Sequence, residues 1–211
     1  MRDAKPIILI VDDDPEFRES VGRLLRTVGL HTQQFSSVSD FLAADAPDGP
    51  TCLVLDIRMP GGSGLELQRE LAAANRQLPI IFITAPADVP MTVRAMKGGA
   101  IEFLTKPSRD QDLLDAVEAG LARDRARRES EKALLALRER FDTLSSRERE
   151  IMTQATAGRL NKQIASDIGI AESTVKVHRA NLMRKMKARS LPDLSRMADI
   201  LKLAPEKPQR Y

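Results

Sequence analysis

Four short apolar runs in the first half of the chain, Ile7–Val11, Cys52–Leu55, Ile80–Ile83 and Ile101–Thr105, each give way at once to a polar group: Asp12-Asp13, Asp56, Thr84 and Lys106. Runs of this length without an alternating polar face read as strands buried on both sides, as in parallel sheets covered by helices. In an open α/β sheet the ligand crevice lies beyond the carboxyl ends of the strands. Two adjacent acids, a third acid, a hydroxyl and an ammonium are therefore expected to meet in one place.

Between these runs the apolar period becomes helical. Phe17, Val21, Leu24, Leu25 and Val28 fall on one stripe, with Asp14 placed to cap the helix, Pro15 at its first position and Gly29 to end it. Ser37 with Asp40 opens a second helix; Gly64–Ala73, Asp88–Lys97 and Ser108–Arg123 give three more, and His31–Phe35 reads as an edge strand. The pattern predicts (βα)₅ with right-handed crossovers and helices on both sheet faces.

From Arg123 to Arg140 the sequence is Ala, Leu and charge with no Gly or Pro and no sustained heptads. This predicts a solvated helical linker continuing the fifth helix, with dimer contacts along it as the alternative. Beyond Thr143 come four helical segments and no strand pattern. Ser145 with Glu148 makes a capping box for Arg147–Ala157, closed by Gly158, and Asn161–Ile168 ends at Gly169. Glu172–Lys187 is longer, Ser190 with Asp193 caps Leu191–Leu201, and Lys202–Tyr211 is expected to fray.

A net charge of +3 conceals an asymmetry: residues 1–123 hold 13 Lys/Arg and 18 Asp/Glu, net −5, while residues 124–211 hold 20 and 12, net +8. An acidic half suits a cation site, and a basic half suits nucleic acid or a membrane surface. No apolar run approaches the ~20 residues of a membrane span, and Met1–Lys5 is too short and polar for a signal peptide. A cytoplasmic protein with no membrane partner is expected. Cys52, the single cysteine, falls inside a buried strand and reads as a packed thiol, which leaves no disulfide or Cys-based zinc site within the chain.

Carboxylates crowded at a sheet end repel one another, and a hard divalent cation relieves this; Mg²⁺ suits an all-oxygen site with one or two carboxylates and several waters. With phosphoryl oxygens neutralised by that cation, Asp56 is placed to attack phosphorus in line. Lys106 and the Thr84 hydroxyl would hold the other oxygens.

Residues 1–123 resemble the receiver domain of two-component response regulators, through Val-Asp-Asp-Asp at 11–14, Leu-Asp-Ile-Arg-Met-Pro at 55–60, Phe-Ile-Thr at 82–84 and Phe-Leu-Thr-Lys-Pro at 103–107. The resemblance implies a flavodoxin-like fold with Asp56 as phosphoacceptor. Asp12, Asp13, Asp56 and the Arg58 backbone carbonyl would hold Mg²⁺, Thr84 and Phe103 would form the switch pair, and Lys106-Pro107 would be cis. Ala85-Pro86-Ala87 stands where this subfamily usually has Gly-His-Gly. Proline stiffens a loop that should move, so an altered phosphorylation lifetime or switching amplitude is expected.

Within Asn161–Lys187 a short helix, a Gly-containing turn and a longer basic helix have helix-turn-helix spacing. On the longer helix Val175, His178, Leu182 and Met186 recur at helical intervals and are expected inside. Lys176, Val177 and Ala180 lie opposite, flanked by Arg179 and Arg184, on a face suited to the major groove of double-stranded DNA. The segment resembles the LuxR-type output domain through Leu-Ser-Ser-Arg-Glu-Arg-Glu-Ile at 144–151, Gly-Arg-Leu-Asn-Lys-Gln-Ile-Ala at 158–165 and Ser-Thr-Val-Lys-Val-His-Arg at 173–179. This resemblance implies Lys176 and Val177 as base readers and Asn161, Lys162, Thr174 and Lys185 as phosphate contacts. Ala171 and Ala180 depart from the pattern, at a position often held by a capping hydroxyl and at one held in some relatives by a basic residue.

Both resemblances together point to the FixJ/NarL group, FixJ-like branch: an α/β (βα)₅ receiver at 1–123, a linker at 124–141, an all-α four-helix LuxR-type domain at 142–205 and a tail at 206–211. The implied function is phosphorylation of Asp56 by a sensor histidine kinase, switching transcription through homodimerisation or through release of a masked recognition helix; the long linker favours the homodimer. The alternative is a DNA-binding regulator whose receiver is only a dimer scaffold. Haloacid-dehalogenase-like phosphatases also pair an Asp nucleophile with Mg²⁺, but they need an acid two residues later, where this chain has Arg58. Enzymatic turnover is not expected.

Overall fold

The computed structural model describes residues 5–202. The chain divides into two compact units, one reaching Arg128 and the other beginning at Glu129. The expected tail at 206–211 lies outside the described residues, as does all but the first residue of the fraying segment.

The first unit contains β1 (Ile7–Val11), α1 (Pro15–Thr27), β2 (His31–Phe35), α2 (Val38–Ala43), β3 (Thr51–Leu55), the short strands β4 (Arg58–Met59) and β5 (Gly62–Ser63), α3 (Gly64–Ala73), β6 (Ile80–Thr84), α4 (Val89–Lys97) and β7 (Glu102–Thr105). A helix α5 (Asp110–Asp142) follows. Five strands form one parallel sheet in the order β2-β1-β3-β6-β7. This is the flavodoxin-like order, with its switch point between β1 and β3.

Strand period sorts the core into two layers. Leu9, Val11, Leu53, Leu55 and Phe82 pack with Phe41, Leu67, Leu71, Met91 and Ala95 of α2, α3 and α4. Ile8, Ile10, Cys52, Val54, Ile81 and Ile83 pack with Val21 and Leu25 of α1 and Leu113, Val117 and Leu121 of α5. Burial pushes the Cys52 thiol up to about 12, so it is an inert core group. Asp14 caps α1 by accepting from the N–H groups of Glu16 at 2.9 Å and Phe17 at 3.3 Å. Lys106-Pro107 is cis, and so is Ala85-Pro86, which the sequence reading did not anticipate.

The fifth helix continues without a break through the linker, as its composition suggested, but the first unit reaches Arg128 rather than Arg123, and Asp124 is not part of a solvated spacer. Asp124 is fully buried. Its Oδ2 accepts from the Thr51 N–H at 2.9 Å and from Arg128 Nε at 2.6 Å, and its Oδ1 accepts from Arg127 Nη2 at 2.5 Å. Arg128 also donates to the carbonyls of Asp48 at 2.9 Å and Pro47 at 3.3 Å. One carboxylate thus fastens α5 to the start of β3.

The second unit packs α6 (Ser146–Thr156), α7 (Asn161–Ile168), α8 (Glu172–Met186) and α9 (Leu191–Ile200) around Leu144, Ile151, Ile164, Val175, Leu182 and Leu194, with Leu137 of α5. α8 stops one residue earlier than its pattern suggested, because Lys187 takes a left-handed conformation at φ 56°. The capping box at α6 forms: Ser145 Oγ accepts from the Glu148 N–H at 3.2 Å, and Glu148 Oε2 accepts from the Ser145 N–H at 2.8 Å. The same carboxylate, almost wholly buried, takes Lys185 Nζ at 2.6 Å.

Burial alone would raise the Glu148 carboxyl, but the Lys185 ammonium and the Ser145 N–H outweigh it and hold it below the usual glutamate range. A carboxyl depressed in the folded state contributes its full stability above its unfolded pKa and loses it as pH falls through the folded value. Glu148→Ala is therefore expected to cost the second unit about 2 kcal/mol at neutral pH. The deficit relative to wild type should shrink below about pH 4. Thermal unfolding of both proteins from pH 7 to 3 checks this, and a pH-independent deficit would contradict the assignment.

Candidate functional site

Asp12 and Asp13 follow β1, Asp56 follows β3, Thr84 ends β6 and Lys106 follows β7, so four neighbouring strands deliver the groups the sequence singled out to one crevice at the switch point. Lys106 Nζ lies 2.6 Å from Asp12 Oδ2 and 2.7 Å from Asp56 Oδ2. Asp12 Oδ1 accepts from the Asp14 N–H at 3.0 Å, and Asp56 Oδ1 accepts from the Arg58 N–H at 2.9 Å. Thr84 is fully buried, and its hydroxyl has no hydrogen-bond partner, which singles it out in a core where polar atoms are normally paired. The backbone carbonyl of Thr84 accepts from the Lys106 N–H at 3.0 Å, tying those two strand ends together. Phe103 is half-buried, paired in register with Phe82 at a ring separation of 6.5 Å.

Burial pushes the Asp12 carboxyl above its ordinary value despite the pull of Lys106. Burial would lower Lys106, but its bonds to Asp12 and Asp56 prevail and hold it above the usual lysine range as an ammonium. Two carboxylates thus share one ammonium, and a third, Asp13, stands beside them. Asp12, Asp13 and Asp56 each offer an oxygen within 4.8 Å of the others, and Asp13 is exposed toward solvent. A hard cation fits this set: all-oxygen donors, surplus negative charge and an open side for water.

Three contributors escaped the sequence reading. Phe17 was assigned to the apolar stripe of α1, yet its ring lies 4.1 Å from Lys106 Nζ and supports the ammonium from below. Arg18 Nη1 donates to the Asp12 carbonyl at 2.5 Å, fixing the acidic turn. Gly64 begins α3 where any Cβ would collide with the Asp56 carbonyl oxygen, so only glycine lets α3 start this close to the site. Phe17 and Arg18 lie three and four residues after the Asp14 cap, on the first turn of α1, and that spacing was the available signal.

In the second unit Val175, Leu182 and Met186 are fully buried and His178 half-buried, while Thr174, Lys176, Val177 and Ala180 are exposed along one side of α8. Lys162 and Arg184 are also exposed. Lys176 pairs loosely with Glu172 at 3.3 Å. Arg179 Nη1 donates to Asn161 Oδ1 at 2.5 Å, joining the first turn of α7 to α8. Lys185 is placed differently from the other basic residues: it turns inward to Glu148 and the Thr143 carbonyl, so its ammonium is engaged within the unit. Ala171 precedes α8 without a side-chain cap.

Residues 8–118 match the response regulator receiver domain, and residues 142–198 match the luxR family of bacterial regulatory proteins. The chain is 52% identical to Nodulation protein W of Bradyrhizobium diazoefficiens, over 93% of this chain and 87% of that protein. It is 45% identical to the transcriptional regulatory protein FixJ of Azorhizobium caulinodans, over 93% of each. Among solved structures, the response regulator StyR superposes with a TM-score of 0.84 at 48% identity, over 93% of this chain and 99% of that one. Full-length FixJ from B. japonicum gives a TM-score of 0.55 at 35% identity, over 96% and 100%. Receiver domains generally bind Mg²⁺ at an acidic pocket of the kind Asp12, Asp13 and Asp56 form. The chain belongs to the FixJ/NarL-type response regulators, which carry a signal from a histidine kinase to DNA through a receiver and a LuxR-type output domain.

Proposed function

We propose that Asp56 is the residue that accepts the phosphoryl group, and that the resulting charge drives homodimerisation and binding of paired DNA half-sites. The observation that carries this reading is Lys106, bonded to both Asp12 and Asp56 beside the partnerless Thr84 hydroxyl. An Asp56 oxygen attacks phosphorus as the bond to the donor histidine nitrogen breaks, and the histidine leaves with the electron pair. Lys106 keeps its proton throughout and holds one phosphoryl oxygen. Asp12, Asp13, Asp56 and the Arg58 carbonyl would hold Mg²⁺, which when bound would neutralise the oxygens gathered at the reacting centre. The Thr84 hydroxyl gains a hydrogen-bond acceptor only once the phosphoryl group is present, which draws it toward the site and frees space for Phe103 to turn inward.

Intact-mass measurement with a phosphodonor and Mg²⁺ tests the first step: one phosphoryl group, mapped to Asp56, is expected. A label on another side chain would refute the assignment. Solution mass of the labelled chain tests the second step and is expected to double. Lys176 and Val177 are assigned to base edges, with Asn161, Lys162, Thr174, Arg179 and Arg184 on phosphates. Lys185 is withdrawn from that set, because leaving Glu148 would uncover a buried carboxylate.

The same site is not a phosphatase for external substrates. Arg58 occupies the position where a general acid would have to stand and cannot release a proton at neutral pH. Incubation with small phosphate esters is expected to give no multiple turnover, and sustained release of phosphate would overturn this.

A further inference from the structure

The amino ends of the strands, opposite the acidic crevice, hold a second cavity, of about 240 Å³. Its wall is apolar, from Leu71, Leu78 and Pro79, and three arginines, Arg76, Arg123 and Arg127, are among the residues that line it. The one carboxylate lining it, Asp124, is already saturated by Arg127, Arg128 and the Thr51 N–H. Arg76 and Arg123 face no carboxylate within ion-pair distance among the described residues, and Arg76 is only stacked loosely on Phe41 at 6.0 Å. The charge left over in the cavity is therefore positive. A guanidinium beside an apolar wall is suited to a carboxylate carried on an apolar body.

Gln68 shapes the far side. It is buried, donates to the Ala95 carbonyl at 3.0 Å and leans over Gly98, where a Cβ would collide with its carboxamide. Glycine at 98 thus keeps the carboxamide out of the space. The volume lies below the roughly 300–1,000 Å³ typical of sites for larger ligands, so the occupant is small.

We propose that this cavity binds a small organic anion, one carboxylate on a compact apolar body, held by Arg76 and Arg123 against Leu71, Leu78 and Pro79. No part of the phosphoacceptor site takes part, so the two readings stand or fall separately. The test uses the full chain, labelled with ¹⁵N and titrated with sodium benzoate, or with benzamide as the uncharged isostere, at constant ionic strength. Saturable amide shifts around Leu78, Gly98 and Arg123 are expected with benzoate and not with benzamide. Arg76→Gln/Arg123→Gln, two exposed positions whose replacement leaves the core intact, is expected to weaken benzoate binding about tenfold or more. Gly98→Ala is expected to weaken it by displacing the Gln68 carboxamide. No saturation by about 10 mM benzoate, equal response to benzamide, or unchanged affinity in the double variant would each overturn the proposal.

Discussion

An Asp56→Asn protein is expected to incorporate phosphoryl groups at least about a hundredfold more slowly than wild type and to show no gain in DNA affinity when a donor and Mg²⁺ are supplied. The carboxamide is not a nucleophile, and it removes one of the two charges that hold Lys106 in place. The fold should survive, because Asn at this position can still accept from the Arg58 N–H that Asp56 Oδ1 now binds. Thermal unfolding within about 1 kcal/mol of wild type serves as the control. Promoter activation equal to wild type would instead favour a regulator that works without phosphorylation, with the receiver serving as scaffold.

The second large effect lies far from any reacting atom. Asp124→Ala is expected to destabilise the first unit by about 3 kcal/mol, roughly 10 °C in Tm, because a buried N–H at Thr51 loses its acceptor and two guanidinium groups lose their counterion. Asp124→Asn retains an acceptor for Thr51 and should recover part of the loss. Burial opposes ionisation of Asp124, but the Arg127 and Arg128 bonds and the Thr51 N–H win and hold its carboxyl below the usual aspartate range. Its contribution is therefore present above the unfolded aspartate pKa and disappears as pH falls below about 4. Calorimetry at pH 7 and pH 3 checks both parts; equal deficits at the two pH values would contradict the ion-pair account.

Most of the candidate site was legible because each of its groups sits at a place where a sequence rule changes. Asp12, Asp56, Thr84 and Lys106 each mark the end of an apolar run, and parallel topology forces those ends together. The helix caps at Asp14, Ser37, Ser145 and Ser190 were readable for a similar local reason, since a cap acts within three residues of itself. Asp124 was not readable in this way. In a run of Ala, Arg and Glu nothing local distinguishes a carboxylate that meets a strand 73 residues earlier from one that meets water. The Lys185 ion pair was hidden for the same reason, since on α8 it is one basic residue among several and only the tertiary partner Glu148 sets it apart. Gly64 and Phe17 show that even a correctly located site draws on neighbours whose own patterns, a helix start and an apolar stripe, already looked accounted for.

Cys52 is the single thiol of the chain and is sealed within β3, with its proton held up to about 12. A maleimide or disulfide reagent in excess can react with the protein only when the sheet of the first unit parts. Its labelling rate is thus an intrinsic clock for the opening of that unit, blind to whatever the helical half is doing, and it would time the effect of a phosphoryl group on the receiver core without a foreign probe.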